Sequence, residues 1–336
     1  MNLKVLIRIR HLLISKGAEF KMPSFKISND RSILEHSFSN EERSKALGGI
    51  YEDLIYNKND FAYSIMPLIK NNTRFITHDM MLEQNYLSKM IEESVKEFLA
   101  ALWYVKDNSV SAHDMVSDLD EITSIHLSTN YVTHTTSDGS MSDIHFSKTE
   151  LQKAKKLLNS WAQLCPNLNK IASFEEFKER IGFENGLTMS SLRGFDYNKL
   201  NRLERASVLL DLARSNSYLP LKISFFMPVF ECLFVAQSGS EVQQKVCERV
   251  AFYVAKNKKQ REKVFNDLKQ CYSVRSRFLH GDKLDAKKHD VDNLIRLSKA
   301  IDDIARTIFV RIIERDHSKF VGNKEFDEYL SRLIFQ

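Results

Sequence analysis

Three observations predict an α+β protein, with a mixed N-terminal domain followed by an all-α bundle. Over residues 1–150, short strand-like pieces alternate with helical ones and are separated by turn-forming clusters. From Ser147 onward, apolar residues recur at helical spacing almost without a break. The chain has only ten Gly and five Pro in 336 residues, too few for a sandwich, a barrel, collagen or a disordered linker protein. At roughly 150 residues per domain this length predicts two domains. We place them at 1–150 and 197–336, with a helical connector over 151–196. A hydrophobic fraction of 43% is enough for a sizeable core.

The elements follow in order. The opening stretch Met1-Asn2-Leu3-Lys4-Val5-Leu6-Ile7-Arg8-Ile9-Arg10 reads as a strand, because Arg8 and Arg10 interrupt what would be the uncharged core of a leader peptide. Turns are expected at Ser28-Asn29-Asp30, Asn57-Lys58-Asn59-Asp60 and Asn71-Asn72. Residues 76–105 carry Met80, Leu87, Met90, Ile91, Val95, Phe98, Leu99 and Leu102 at helical steps. Around Ser137-Asp138-Gly139-Ser140, a segment rich in Thr, Ser, Ile and Val predicts a β-hairpin of 122–136 with 141–146. Ser147-Lys148-Thr149-Glu150 is a capping box that opens the first helix of the C-terminal part. Helices are expected at 148–164, 173–182, 197–215, 220–236, 241–256, 259–280, 286–315 and 323–334. The longest apolar run, 223–236, is too short to span a bilayer and contains Pro228 and Glu231, so no membrane insertion is expected. Cys165, Cys232, Cys247 and Cys271 match no zinc or redox spacing and read as reduced core thiols of a cytoplasmic protein.

Charge is unevenly divided. Residues 1–196 hold 23 Lys and Arg against 26 Asp and Glu, whereas residues 197–336 hold 26 against 18. The densest stretch, 245–277, has ten basic residues against Glu248, Glu262 and Asp267. Such a face suits a polyanion such as nucleic acid, with Lys256, Lys258, Lys259 and Lys269 as contacts; the alternative is a solvated helix face.

The helix over 259–280 has its apolar stripe at Val264, Leu268, Cys271, Tyr272, Phe278 and Leu279, and Arg275 falls on that stripe. A buried arginine needs a partner, or its stem packs while its head reaches solvent. Glu231, the one acid in an otherwise apolar helix, is the obvious partner; it either orients Arg275 for function or forms a purely structural ion pair. His280 precedes Gly281, the residue preferred just past a helix end, so it is either a functional imidazole or a simple C-terminal cap. Five helical steps separate Arg275 and His280 by about 140°, so they share a site only at a frayed terminus or across a dimer axis.

His113, His126, His134 and His145, with Asp114, Asp138 and Asp143, bracket the expected hairpin, but no close His pair occurs. Polar residues on a solvent-facing sheet are their ordinary explanation, and no metal site is expected. No nucleophile elbow and no phosphate-cradling Gly-rich loop is present, which argues against ATP-dependent chemistry; no cofactor is expected.

Cys271-Tyr272-Ser273-Val274-Arg275-Ser276-Arg277-Phe278-Leu279-His280-Gly281 resembles the Arg-x(4–6)-His signature of HEPN domains, in the form carried by Apea-like members. Pro228-Val229-Phe230-Glu231-Cys232-Leu233-Phe234 is similar to that family's apolar helix with one embedded Glu, and Val246-Cys247-Glu248-Arg249-Val250-Ala251-Phe252 to its Glu-Arg-x-Ala segment. The resemblance covers about 197–315, and Leu99–Val110 is similar to the region upstream of such domains. Ser276 departs from the pattern, since catalytic members often carry Asn, Asp or His there.

The resemblance implies a helical domain that homodimerises, so that two Arg-His motifs face one cleft, and that acts as a metal-independent endoribonuclease on RNA such as tRNA. Arg275 and His280 would be catalytic, and Glu231, Ser276 and Arg277 supporting. It also implies a bacterial cytoplasmic setting in antiphage or abortive-infection defence, with residues 1–150 as sensor or regulator. The rival expectations are a catalytically inactive HEPN-like module that binds RNA or protein, and a helical scaffold without a nucleic-acid role.

Overall fold

In a computed structural model of the chain, residues 2–38, 45, 48–49, 60–67, 78–119, 122–129, 132–168, 173–180, 197–235, 241–321 and 324–335 are described. The turns expected at 57–59 and 71–72, and the connector residues 169–172 and 181–196, lie outside them.

The apolar N-terminal stretch forms β1 (Asn2–Arg10), the centre of a six-stranded antiparallel sheet. The other described strands are β2 (Leu12–Leu13), β3 (Glu19–Lys21), β4 (Lys26–Ser28), β5 (Phe61–Pro67), β6 (Ser111–Leu119), β7 (Ile122–Thr129) and β8 (Ile144–His145). The sheet order is β3-β4-β5-β1-β6-β7. Leu3, Val5, Ile7 and Ile9 face helix α2 (His78–Ala101) through Ile91, Val95, Phe98 and Leu99. On the other face Leu6 meets Phe61, Tyr63 and, from α1 (Arg31–Ser37) and its end, Leu34 and Phe38. Covering on both faces explains why β1 reads as a nearly continuous apolar run.

The hairpin expected at 122–136 with 141–146 does not form. Instead β7 pairs with β6, with Val116 opposite Leu127, while the short β8 pairs in parallel with β2. The turn chemistry at Asp138-Gly139 is real: Gly139 has φ +82°, and Thr136 and Ser140 bond across the turn. Its flanks are used elsewhere, because the Thr135 amide donates to the Arg214 carbonyl at 2.9 Å in the helical part. Residues 132–143 therefore act as a strap between the two parts, not as a strand pair.

The helices follow as α3 (Lys148–Leu164), α4 (Phe174–Arg180), α5 (Arg202–Arg214), α6 (Leu219–Phe234), α7 (Val242–Val254), α8 (Lys258–Leu279), α9 (Val291–Arg311), α10 (His317–Val321) and α11 (Lys324–Arg332), with a π turn after α9. The capping box that opens α3 is formed, with the Ser147 amide donating to Glu150 at 2.8 Å. A second box, Asn201 with Glu204, starts α5 five residues later than the periodicity predicts. Asp290 caps α9, accepting from the Asn293 amide at 2.8 Å, and so moves its start from the expected 286 to Val291. The apolar α6 lies at the centre of the bundle, with Ile223, Phe226, Met227, Val229, Phe230, Leu233 and Phe234 fully buried among residues of α5, α7, α8 and α9.

The fold is α+β, with a sheet core and a helical core. Helix α3 serves both: Leu151 and Ala154 join the first, Leu157 and Trp161 the second. No helix among the described residues is long and apolar enough to cross a membrane. The four cysteines are free, three of them buried, and burial pushes the Cys247 thiol up to about 12.

Candidate active site

Helix α6 presents Glu231 to α8, where Arg275 Nη1 donates to Glu231 Oε1 at 2.8 Å. The Tyr272 hydroxyl, one helical turn before Arg275, donates to the same oxygen at 3.2 Å. Burial and the Glu231 charge raise the Tyr272 pKa, so its proton stays on the oxygen and remains a fixed donor. The Arg275 guanidinium lies 6.0 Å from the Tyr272 ring centre, and its side chain is 33% exposed. The arginine on the apolar stripe is thus paired at its head and open to solvent along part of its length.

The end of α8 closes as its sequence predicts. The His280 amide donates to the Ser276 carbonyl at 3.1 Å and the Asp282 amide to the Arg277 carbonyl at 2.8 Å, while Gly281 takes φ +77° in open space. His280 keeps helical backbone angles (φ −85°, ψ −1°) and is exposed. The terminus is not frayed, so His280 stays about 140° around the helix from Arg275. Within one chain the two residues do not converge. Ser276 is exposed, and Arg277 donates to the Lys283 carbonyl at 3.1 Å, fastening the loop that follows. In that loop the buried His289 Nδ1 accepts from the Asp285 amide at 3.3 Å, and the His289 amide donates back to the Asp285 carbonyl at 2.7 Å. Sequence reasoning passed over His289, although a histidine four residues after Asp285 is a local pairing signal.

Lys256, Lys258, Lys259 and Lys269 are all exposed. The first three gather at the start of α8, about 24 Å along the helix from Arg275 at 1.5 Å per residue. Lys269 lies on the outward side between them and the motif.

A second polar cluster, also missed, ties α6 to the strap. Lys222 is fully buried; its ammonium reaches Thr135 Oγ1 at 3.0 Å and the carbonyls of Thr135, Ala213 and Asn216 at 3.4 Å. Desolvation brings its pKa down to about 8. Nearby, Trp103 Nε1 donates to Asp302 at 3.0 Å and Arg306 pairs with the same carboxylate at 2.7 Å, while Ser298 donates to the Ser137 carbonyl at 2.5 Å. The signal was available: Lys222 and Glu231 are the two charged residues in the apolar text of α6. Beyond the strap, Tyr218 at the head of α6 meets Phe278, two residues before His280, with ring centres 5.7 Å apart.

Of the histidines weighed as metal ligands, His113 pairs with Asp114 and His134 with Asp211, each at 2.8 Å, and Asp143, weighed with them, pairs with His11 at 2.9 Å. Among the described residues no three His, Cys, Asp or Glu side chains are grouped to hold a metal ion. No protein-family model, curated protein or solved structure matches the chain.

Proposed function

We propose that the protein is a metal-independent endoribonuclease in which Arg275 and His280 act together across a homodimer. The observation that carries the reading is the Glu231-Arg275-Tyr272 cluster between α6 and α8, with an exposed His280 at the well-capped end of the same α8. Transesterification by the ribose 2′-hydroxyl needs a base, an acid and a fixed positive charge on the pentavalent phosphorus. Glu231 would hold the Arg275 fork for phosphate oxygens. Two His280 side chains, one from each protomer, would take the base and acid roles, which suits an imidazole at neutral pH. Leu279 and Tyr218 are 58% and 59% exposed beside the motif, an apolar rim suited to a second copy. The basic face of α8 would guide RNA such as tRNA. By resemblance to HEPN proteins, the setting would be bacterial cytoplasmic antiphage defence, with residues 1–150 as sensor.

The test is incubation with total RNA and tRNA in EDTA, comparing wild type with Arg275→Ala and His280→Ala. Cleavage by wild type alone, leaving 2′,3′-cyclic phosphate ends, is the expected result; equal cutting of RNA with a 2′-deoxy substitution at the cleaved site would sink the mechanism. The Glu231 ion pair, which already engages Arg275, favours a second reading: a silent RNA-binding module. That module would bind RNA with a steep salt dependence, weakened but not abolished by His280→Ala, and would cut nothing.

A further inference from the structure

Where α8 and α9 meet the end of α7, a groove of about 390 Å³ opens on the helical part. Its size falls within the roughly 300–1,000 Å³ of small-molecule sites. The apolar lining is wholly aliphatic: Val254 and Ala255 from the end of α7, Val264 from α8, and Ala300 and Ile304 from α9. Such a floor offers no ring to stack on and suits a hydrocarbon chain. The acids of the lining are engaged or in solvent. Asp267 is held by Arg296 at 2.6 Å, and Asp303, 79% exposed at its side chain, lies 3.8 Å from Arg306. Lys256 and Lys263 are exposed, and neither ammonium has an acidic partner among the described residues. Gln260, one turn before Lys263, accepts from the Lys256 amide at 3.1 Å through its side-chain oxygen, so its NH2 remains as a further donor on the lining. Two unmatched positive charges and an amide donor thus border an aliphatic floor.

We propose that this groove binds an aliphatic carboxylate of the fatty-acid class, its chain on Val264, Ala300 and Ile304 and its head at Lys256, Lys263 and Gln260. The chain supplies affinity by leaving water, and the two ammonium groups select the charge of the head. The site is separate from the Arg275 cluster, about two helical turns or more away along α8, and does not depend on the ribonuclease reading. It does use Lys256, one of the lysines expected to guide RNA, so an occupant competes with a polyanion for that side chain.

The test is isothermal titration of the full chain at pH 7.5 with decanoate, hexanoate and decyltrimethylammonium, each below its micelle concentration. Decanoate is expected to bind saturably. Hexanoate, with a shorter chain, should be weaker by about tenfold, and decyltrimethylammonium, the same chain with a cationic head, by about tenfold or more. Ala300→Phe, which fills the floor, should abolish decanoate binding. If that variant does not fold, Lys256→Glu/Lys263→Glu, at two exposed positions, should weaken decanoate by about tenfold or more, whereas the same charge change at the exposed Lys153 and Lys156 of α3 should leave it unchanged. Absence of saturable decanoate binding, equal binding of hexanoate or of the cation, unchanged binding in the Lys256→Glu/Lys263→Glu variant, or an equal loss in the α3 variant would overturn the proposal.

Discussion

Glu231 accepts from two donors at one oxygen, inside a helix whose neighbouring residues are apolar. Removing it leaves the buried Tyr272 hydroxyl and the partly exposed Arg275 without their acceptor. Because Arg275 keeps some solvent, the cost is modest: Glu231→Ala should lower the unfolding free energy by about 1–2 kcal/mol in urea denaturation. Glu231→Gln, which keeps an acceptor for Tyr272, should lose less. Under the proposed ribonuclease reading, a shift in the pH profile of cleavage in Glu231→Gln would show that the carboxylate positions Arg275 beyond merely holding α6 to α8.

His289 makes a pH prediction with a definite sign. Burial holds its pKa below the ordinary 6.5, Arg277 and Lys288 push the same way, and Asp285 opposes them. Between the folded and unfolded values the unfolded chain binds more protons, so stability is lost as pH falls below about 6.5. Protonation also turns Nδ1 from an acceptor into a donor facing the Asp285 amide. Measured against the intrinsic amide rate at each pH, hydrogen-exchange protection over 281–290 should therefore fall from pH 7 to pH 5 in wild type, and His289→Gln should abolish that fall relative to the rest of the chain.

At the scale of elements, the strap and the end of α8 each depend on a glycine with positive φ, in contrasting surroundings. A Cβ on Gly139 would come within 2.3 Å of the Ser217 carbonyl oxygen, a backbone atom at the α5–α6 turn, whereas one on Gly281 meets nothing within 4 Å. Gly281→Ala should cost only the left-handed backbone penalty, about 1 kcal/mol. Gly139→Ala adds a steric clash that must move backbone, and should cost about 2–4 kcal/mol. Thermal denaturation of the two variants side by side checks the difference. The same comparison explains the misplaced hairpin. Turn chemistry at 137–140 was legible, but local sequence does not say whether the flanks of a turn bond to each other or to a distant partner. Ser111–Leu119, the strand that β7 does pair with, alternates weakly and carries His113, Asp114 and Asp118, so its period-two signal is faint.

For the whole molecule, one tie at the junction of the two cores is Lys222, which bonds to Thr135, 87 residues away in sequence. Lys222→Met removes the donor shared by three carbonyls and a hydroxyl. It should lower stability by about 1–3 kcal/mol and raise hydrogen exchange most over the strap at 132–140. An unchanged exchange rate there would mean that the strap is held without the ammonium.

By itself the sequence determined the α+β class, most of the helices, the capping box at Ser147, the glycine stop at Gly281 and the Glu231–Arg275 pair. Each of these follows from periodicity, local hydrogen bonding or the need of a charge in apolar text for a partner. Tertiary structure alone decided that β7 pairs with β6, that 132–143 becomes a strap and that Lys222 is caged by carbonyls. Those outcomes rest on contacts between segments far apart in the chain, and the residues involved carry no local preference for one distant partner over another.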